Sequence, residues 1–214
     1  MSPACVLFDL DGTLIDHFKA IHRCHTHAMT RLGLPAPTMA QVRAAVGGGL
    51  DEAIARLAGR DKVAAILPVY TQHFDATHLD DVELLPGAIE LLETLNRAGT
   101  LCAVLTNKRG YASREVCDHL GLTPLLRGIF GVGDTPWLKP DPAFTRHALQ
   151  KLGVPADRTL LVGDSPFDVQ TARNAGLAFI GVTTGTHNAA ELRAAGAERI
   201  CTGLLEVARE LSLA

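Results

Sequence analysis

Two acidic residues near the start of the chain are spaced so that they could do chemistry together. Asp9 and Asp11 directly follow the apolar residues 6–8, and Gly12 comes next. Side chains two positions apart on a β-strand point to the same side, so the two carboxylates converge where the strand ends. Two negative charges this close raise each other's pKa unless a cation lies between them. The pair therefore predicts half of a divalent-metal site, with one carboxylate free to react.

Two other interpretations of this segment are open. Asp and Gly both favour tight turns, so Asp-x-Asp-Gly is also a common turn sequence. A calcium-binding loop begins in the same way, but Leu14, Ile15 and His17 follow where further acidic ligands would be needed. The segment alone leaves a plain turn as the alternative, and the rest of the chain has to decide.

The elements that must position these residues are short buried strands separated by helices. Six apolar runs recur along the chain, each with a length typical of a buried strand. Segment 87–98 places apolar side chains at helical spacing, and Gly99 follows as a helix terminator. Strands and helices that alternate in this way predict an α/β fold with a doubly wound parallel sheet. The predicted strands are 4–8, 101–105, 129–132, 159–162, 178–182 and 199–201.

One long interval breaks this alternation. Residues 16–83 contain helical patterns, a break at Pro35 and Pro37, and a glycine loop at 47–49, but no convincing strand. We interpret the interval as a helical cap, inserted directly after the acidic pair so that it can close over it. The predicted division is an α/β core domain at 1–15 and 84–214 and a helical cap domain at 16–83.

The composition predicts a folded protein without a nucleic-acid or membrane partner. The 214 residues suffice for one domain or a domain with an insert, and 47% of them are hydrophobic. A net charge of −3 offers no attraction to nucleic acid or to an acidic membrane surface. We see no signal peptide and no run of about 18 apolar residues. The five cysteines form no Cys-x-x-Cys pair, which fits buried free thiols in a reducing compartment and predicts a cytoplasmic protein.

Other residues with chemical potential also follow predicted strands. Ligands of open α/β sheets bind at the carboxyl ends of the strands, so these residues are expected to meet the acidic pair. A hydroxyl, an amide and a base stand at 106–108, after the second strand, and Lys139 follows the third. Asp164 and Asp168 follow the fourth. Alone, each is typical of a turn, a surface lysine or a helix cap, but together they predict one catalytic site.

In this order, the motifs resemble those of the haloacid dehalogenase superfamily of hydrolases. The similarity extends over nearly the whole chain and points to the phosphoglycolate-phosphatase-like branch, which carries a helical cap after the first motif. The segments that match the four motifs are 9–13, 106–107, 139–142 and 163–168. The segment 175–185 also resembles that branch.

The resemblance implies a role for each acidic residue. Asp9 would attack phosphorus and form an aspartyl-phosphate, while Asp11 would protonate the leaving alkoxide and then deprotonate the attacking water. Mg²⁺ would be held by Asp9, by Asp164 and by the backbone carbonyl of Asp11. Asp168 would orient a metal-bound water.

Three further residues would hold the phosphoryl group. The resemblance assigns this role to Thr106, to the backbone amide of Asn107 and to Lys139. The implied activity is Mg²⁺-dependent hydrolysis of a small phosphomonoester similar to phosphoglycolate. The implied partner is therefore a small-molecule phosphoester.

Related activities are the alternatives. A β-phosphoglucomutase-like mutase usually has Glu-Asp in the fourth motif, where this chain has Gly163-Asp164. Branches that cleave carbon–halogen or carbon–phosphorus bonds typically lack the second acid of the first motif, which here is Asp11. A pyrophosphatase of the superfamily and a non-catalytic phosphate-binding module are also alternatives, the latter disfavoured because the nucleophile and metal positions are filled.

The cap carries few signals of the substrate. Arg43 could contact a substrate carboxylate, but a solvated helix residue is an equal interpretation. His17, His22, His25 and His27 lack a nearby cysteine or acid that would complete a zinc site, so we interpret them as solvent-exposed. His17 lies close to the first motif, which leaves a substrate contact as its alternative.

Overall fold

A six-stranded parallel sheet forms the centre of the protein, of which the computed structural model describes residues 3–211. All six predicted strands are present, which confirms the prediction. In chain order, the strands are β1 (Cys5–Phe8), β2 (Ile15–Asp16), β3 (Glu83–Leu84), β4 (Leu101–Arg109), β5 (Ile129–Val132), β6 (Thr159–Gly163), β7 (Ala178–Val182) and β8 (Ile200–Cys201). The order within the large sheet is β5-β4-β1-β6-β7-β8, with every neighbouring pair parallel.

The helices of residues 3–211 connect these strands and fill the interval after β2. None of them has the length and apolar composition that crossing a bilayer requires. They are α1 (Phe18–Arg31), α2 (Met39–Ala45), α3 (Leu50–Ala58), α4 (Val63–Thr77), α5 (Ala88–Arg97), α6 (Gly110–His119), α7 (Pro142–Leu152), α8 (Pro166–Ala175), α9 (Ala189–Ala195) and α10 (Leu204–Glu210).

Helices cover both faces of the large sheet. Along β1, Val6 and Phe8 pack in one apolar cluster with α5, α6 and α10, while Leu7 packs in another with α7 and α8. Alternate side chains of a strand point to opposite faces, so a strand with apolar residues at every position needs a layer of helices on each side. The predicted doubly wound α/β fold is confirmed. The five cysteines are free and buried, as expected.

The strand β4 is longer than predicted. The apolar run ends at Leu105, but the backbone continues as a strand through the polar residues to Arg109. The reason is its pairing with β5, which resumes at Arg109 and Val132 after a register shift that follows Leu105. Residues 106–108 therefore belong to the strand and are held by its neighbours.

The interval between β2 and β3 is helical and has an apolar cluster of its own. Side chains of α1, α3 and α4, among them Cys24, Ile54 and Phe74, pack together and against Ala112 of α6. The strands β2 and β3 form a two-stranded antiparallel sheet at the two ends of this interval, pairing Ile15 with Leu84. This pair was not predicted because two residues are too few to show a period. The division into core and cap domains stays a prediction.

Candidate active site

Several predicted site residues meet at one end of the sheet. The strand β1 pairs with β4 on one side and with β6 on the other, so the residues that end these strands are neighbours. Asp9 follows β1, Thr106 lies near the end of β4 and Asp164 follows β6. Side chains of all three line one cavity.

The turn after β1 depends on Gly12. Its φ angle is +86°, and a Cβ atom there would lie 2.7 Å from Cα of Gly185 and 2.9 Å from Oδ2 of Asp164. Only glycine adopts this conformation without strain and leaves room for these neighbours. The Thr184 hydroxyl donates a hydrogen bond to the Gly12 carbonyl at 2.7 Å, which ties the turn to the loop after β7.

Three buried carboxylates form a cluster beside this turn. Asp9, Asp164 and Asp168 each offer an oxygen atom, and these atoms lie within 4.8 Å of one another. Nζ of the buried Lys139 lies 2.8 Å from Oδ1 of Asp9 and 2.6 Å from Oδ1 of Asp168. Burial opposes the charge of Lys139, but Asp168 and Asp9 outweigh it and raise the pKa of the ammonium. One cation thus faces three acids.

The pKa values of two of these acids are raised, chiefly by burial and further by the neighbouring negative charges. Burial, with a contribution from Asp168, raises the pKa of Asp9 from 3.8 to about 6, although Lys139 opposes the rise. Burial and the charges of Asp9 and Asp168 raise the pKa of Asp164 to about 8. A divalent cation would relieve this repulsion, and Mg²⁺ prefers carboxylate and water oxygens. The donor set therefore fits a hard divalent cation such as Mg²⁺.

Neighbouring polar groups hold Asp164 and Asp168 in place. Oδ2 of Asp164 accepts hydrogen bonds from the backbone amide and the hydroxyl of Thr186, at 2.7 and 2.8 Å. Oδ2 of Asp168 accepts from the Ser165 hydroxyl at 2.6 Å and from its amide at 3.1 Å, which also caps α8. Sequence reasoning missed Thr186, because nothing in a Thr-Gly-Thr loop shows which strand end it will face.

Asp11 lies in a different electrostatic environment from Asp9. Nζ of Lys108 donates to both of its carboxylate oxygens at 3.1 Å, and Nδ1 of His17 lies 3.4 Å from Oδ1. Burial alone would raise the pKa of Asp11, but the ammonium of Lys108 outweighs it and holds the pKa well below its usual value. The role of Lys108 was missed because 97 positions separate it from Asp11 in the chain. His17 lies close to the first motif in the sequence, but its contact with Asp11 was not predicted.

His17 acts as a neutral bridge in this network. Its Nε2 lies 2.5 Å from the carbonyl oxygen of His78, which can only accept, so Nε2 carries the proton. Nδ1 is then free to accept from Nζ of Lys108 at 2.9 Å. Burial and the nearby charge of Lys108 lower the pKa of His17, which favours this neutral form.

The side chain of Asn107 joins three segments of the site. Its Nδ2 donates to the carbonyl of Gly47 at 2.9 Å and to that of Lys139 at 3.0 Å, and its Oδ1 accepts from the Lys139 amide at 2.7 Å. The side chain therefore fixes the backbone that carries Lys139 and the glycine loop before α3. The predicted phosphate contact concerns the backbone amide of Asn107, and it stays a prediction.

The cavity is closed on its other side by the helices between β2 and β3. The lining from these helices is mostly apolar and aromatic, whereas the lining from the strand ends is charged. One wall of the cavity is thus charged and the other is mostly apolar. The lining residues from the helical interval include Ile21, His25, Leu50, Ala53, Tyr70 and Phe74.

Comparison with known proteins decides the family. The sequence profile of the haloacid dehalogenase-like hydrolases matches residues 6–182. The chain belongs to this family. The matched region includes all four motifs at 9–13, 106–107, 139–142 and 163–168.

Individual relatives of this hydrolase are phosphatases. A phosphoglycolate phosphatase of Rhodobacter capsulatus is 35% identical over 86% of this chain and 86% of its own length. A 5'-nucleotidase of Pseudomonas aeruginosa is 32% identical over 93% of this chain and 91% of its own. A solved haloacid dehalogenase-like family hydrolase from Streptococcus pneumoniae superposes with a TM-score of 0.89, at 26% identity, over 97% of this chain and 98% of that one.

The family and these relatives identify the protein as a phosphatase, a hydrolase of phosphoric monoesters. They do not favour the alternatives of a mutase, a pyrophosphatase or a non-catalytic module. The buried acidic cluster could hold a metal ion.

The histidines of the phosphatase depart from expectation. The prediction of solvent exposure is wrong for His17 and His25. The exposed fractions of these residues are 0% and 1%. Both lie on or beside α1, where they face α4, and His25 packs against the ring of Tyr70 at 4.6 Å between centroids. His27 instead stacks on His73 at 3.9 Å near the surface. Sequence alone could not separate them, because the helix's buried face depends on what packs against it.

Arg43 of the hydrolase makes contacts within the protein. Its guanidinium lies 3.7 Å from Oδ2 of Asp16, donates to the carbonyl of Gly185 at 3.3 Å and stacks over the ring of Phe18. It does not appear among the residues that line the cavity. The interpretation of Arg43 as a substrate contact is therefore not supported by its position.

Proposed function

We propose that this enzyme hydrolyses a small phosphomonoester of the phosphoglycolate type, with Mg²⁺ and through an aspartyl-phosphate on Asp9. The observation that carries the proposal is that Asp9 and Asp11, only two residues apart in the chain, lie in different electrostatic environments. Asp9 lies in the carboxylate cluster beside Lys139, and Asp11 lies outside it with a cation of its own, Lys108. Two acids in such different surroundings suit two different tasks.

In the first step, a carboxylate oxygen of Asp9 would attack phosphorus while the bond to the ester oxygen breaks. Asp11 would give a proton to the departing alkoxide, which leaves as an alcohol. Because Lys108 favours the ionised form of Asp11, this carboxylate would first have to take up that proton from water. In the second step, Asp11 would take a proton from water as the water attacks phosphorus. The phosphorus–oxygen bond to Asp9 then breaks, which releases phosphate and restores the carboxylate.

The phosphoryl group carries negative charge, so the site must supply positive charge and hydrogen-bond donors. Lys139, the Thr106 hydroxyl and the Asn107 backbone amide would bind its oxygens as the charge moves. Asp9, Asp164 and the backbone carbonyl of Asp11 would hold Mg²⁺, which supplies electrophilic assistance to the phosphoryl group when bound. The high pKa values of Asp9 and Asp164 support this assignment.

A panel of phosphomonoesters tests the proposal. Purified protein should release phosphate from phosphoglycolate with Mg²⁺, and excess EDTA should stop the reaction. Asp9→Asn should abolish turnover, because the amide is a poor nucleophile, while the exposed Asp118→Asn should keep it. A nucleoside 5'-monophosphate and pyrophosphate belong in the panel as competing substrates. Wild-type turnover by Asp9→Asn, or turnover that EDTA leaves unchanged, would contradict the proposal.

A further inference from the structure

Arg109 is the last residue of β4 and lines the cavity next to Lys108. It is half-buried, and its strand position is fixed by pairing with Val132 of β5. It lines the same cavity as Thr106 and Asn107, two of the residues proposed to bind the phosphoryl group. The mechanism above does not use it.

The other cations of the site are already paired. Lys108 contacts Asp11, and Lys139 contacts Asp9 and Asp168. Across residues 3–211, no carboxylate oxygen lies within 4.0 Å of the Arg109 guanidinium. Two cationic residues of that described part of the chain line the cavity, Lys108 and Arg109. Lys108 has an acidic partner and Arg109 has none.

The surroundings place this charge toward the apolar wall of the cavity. Arg109 and Tyr70 line the same cavity. The Arg109 side chain also acts on the neighbouring Tyr111 hydroxyl, where it opposes the rise in pKa that burial causes. In the same wall, both ring nitrogens of the buried His25 have no hydrogen-bond partner. The region beyond the phosphoryl site therefore combines an apolar surface with an unpaired cation and unpaired polar atoms.

We propose that Arg109 binds the carboxylate of the leaving group, so that the enzyme selects phosphomonoesters of small hydroxy acids. The inference rests on the proposed function and adds the residue that recognises the leaving group. A guanidinium binds a carboxylate through two parallel hydrogen bonds, and a partly buried site strengthens them. An ester without a carboxylate leaves that cation unpaired, which is the kind of mismatch that produces strong discrimination.

An acidic residue offers a competing account. Asp51, in the first turn of α3, also lines the cavity, is exposed, and has no cationic partner among the ion pairs of residues 3–211. If Arg109 served to attract Asp51 and hold the helical interval over the site, removal of either residue would have the same effect on every substrate. The two roles therefore predict different substrate dependence.

The test compares phosphoglycolate with ethyl phosphate, which has a methyl group in place of the carboxylate. We expect the wild-type enzyme to prefer phosphoglycolate in kcat/KM. Arg109→Gln should reduce that preference by about 10- to 100-fold, mainly through KM, and Arg109→Lys should reduce it less. Asp51→Asn should change it by no more than about twofold, because the carboxylate of Asp51 offers no hydrogen-bond donor to the carboxylate of the leaving group. Thermal unfolding of each variant verifies folding.

Binding to the Asp9→Asn protein with Mg²⁺ provides a readout that does not depend on turnover. In calorimetry, phosphoglycolate should bind more tightly than ethyl phosphate, and adding Arg109→Gln should remove the difference. An unchanged ratio in Arg109→Gln, or equal losses on both esters in Arg109→Gln and Asp51→Asn, would overturn the inference. If the wild-type enzyme hydrolysed no ester, the proposed function would fail, while the binding ratio would still decide the role of Arg109.

Discussion

At the scale of single residues, the site shifts the pKa values of two acids that are close in the chain in opposite directions. Asp9 shares Lys139 with Asp168 and has a raised pKa, whereas Asp11 has Lys108 almost to itself and a lowered pKa. Lys108 favours the carboxylate form of Asp11, which is the form that accepts a proton from water in the second step. The lysine that follows Thr106 and Asn107 is thus part of the proposed acid–base apparatus.

Replacing Lys108 tests this dependence. Lys108→Met should lower kcat by about 10- to 100-fold, because Asp11 loses the contact that positions it but keeps its carboxyl group. Lys108→Arg should restore part of the rate, since it returns a cation to the same place. Steady-state kinetics of the two variants supply the measurement. A wild-type kcat for Lys108→Met would show that Asp11 does not need this partner.

At the scale of elements, the site depends on segments that are distant in the chain and joined by side-chain amides. Asn107, near the end of β4, fixes the backbone on both sides of its strand through Gly47 and Lys139. Buried backbone groups that lose their partners cost free energy, so this side chain matters for stability as well as for the placement of Lys139.

The Asn107→Ala variant should show both effects. We expect the free energy of unfolding to fall by about 1–3 kcal/mol, because the Lys139 amide and two carbonyls lose a buried partner. The value of kcat/KM should fall with it. Asn96→Ala is the matched control: its amide donates one exposed hydrogen bond to Leu125, so its cost should be below about 0.5 kcal/mol. Chemical denaturation of both variants measures the free energy of unfolding. Equal losses in Asn107→Ala and Asn96→Ala would argue against the proposal that Asn107 joins the segments of the site.

The sequence predicted the large sheet and the order of the motifs, because strands buried on both faces appear as uninterrupted apolar runs. It did not predict the pair β2–β3, which is too short for a pattern, or the extension of β4 to Arg109, which pairing with β5 imposes. The contacts of Lys108, His17 and Thr186 also escaped, because they depend on packing between distant segments. Residue types therefore predicted the site's chemistry, and tertiary structure determined its partners.

At the scale of the whole molecule, the cavity brings the charged strand ends of the sheet and the apolar wall of the helical interval together. The sheet supplies the acids, and the helices supply an apolar surface on the other side of the same cavity. Excess negative charge in the buried cluster opposes folding whenever no cation is bound. The stability of the entire protein should therefore respond to Mg²⁺ and pH together.

This coupling has a definite sign. The pKa values of Asp9 and Asp164 are raised from 3.8 to about 6 and about 8, so the folded protein holds protons that the unfolded chain releases. The stability that these protons contribute is complete below about pH 4 and is lost as the pH rises through about 6 and about 8. Mg²⁺ needs the deprotonated acids, so its stabilising effect should increase over the same window.

Thermal unfolding in EDTA and in Mg²⁺ measures the coupling. The rise in Tm on adding Mg²⁺ should be larger near pH 8 than near pH 5. Asp164→Asn should reduce the rise at both values, because it removes one of the proposed ligands. A rise in Tm that is independent of pH, or one that survives Asp164→Asn, would contradict the assignment of the metal to this cluster.

The central claim is that Asp9 becomes phosphorylated during turnover, and chemical trapping tests it most directly. Enzyme mixed with phosphoglycolate and Mg²⁺ is quenched in acid and reduced with borohydride, which converts an aspartyl-phosphate into homoserine. Peptide mass spectrometry should find homoserine at position 9, only with substrate and not in Asp9→Asn. Aspartate retained at position 9 during active turnover, or homoserine at Asp11 instead, would contradict the account.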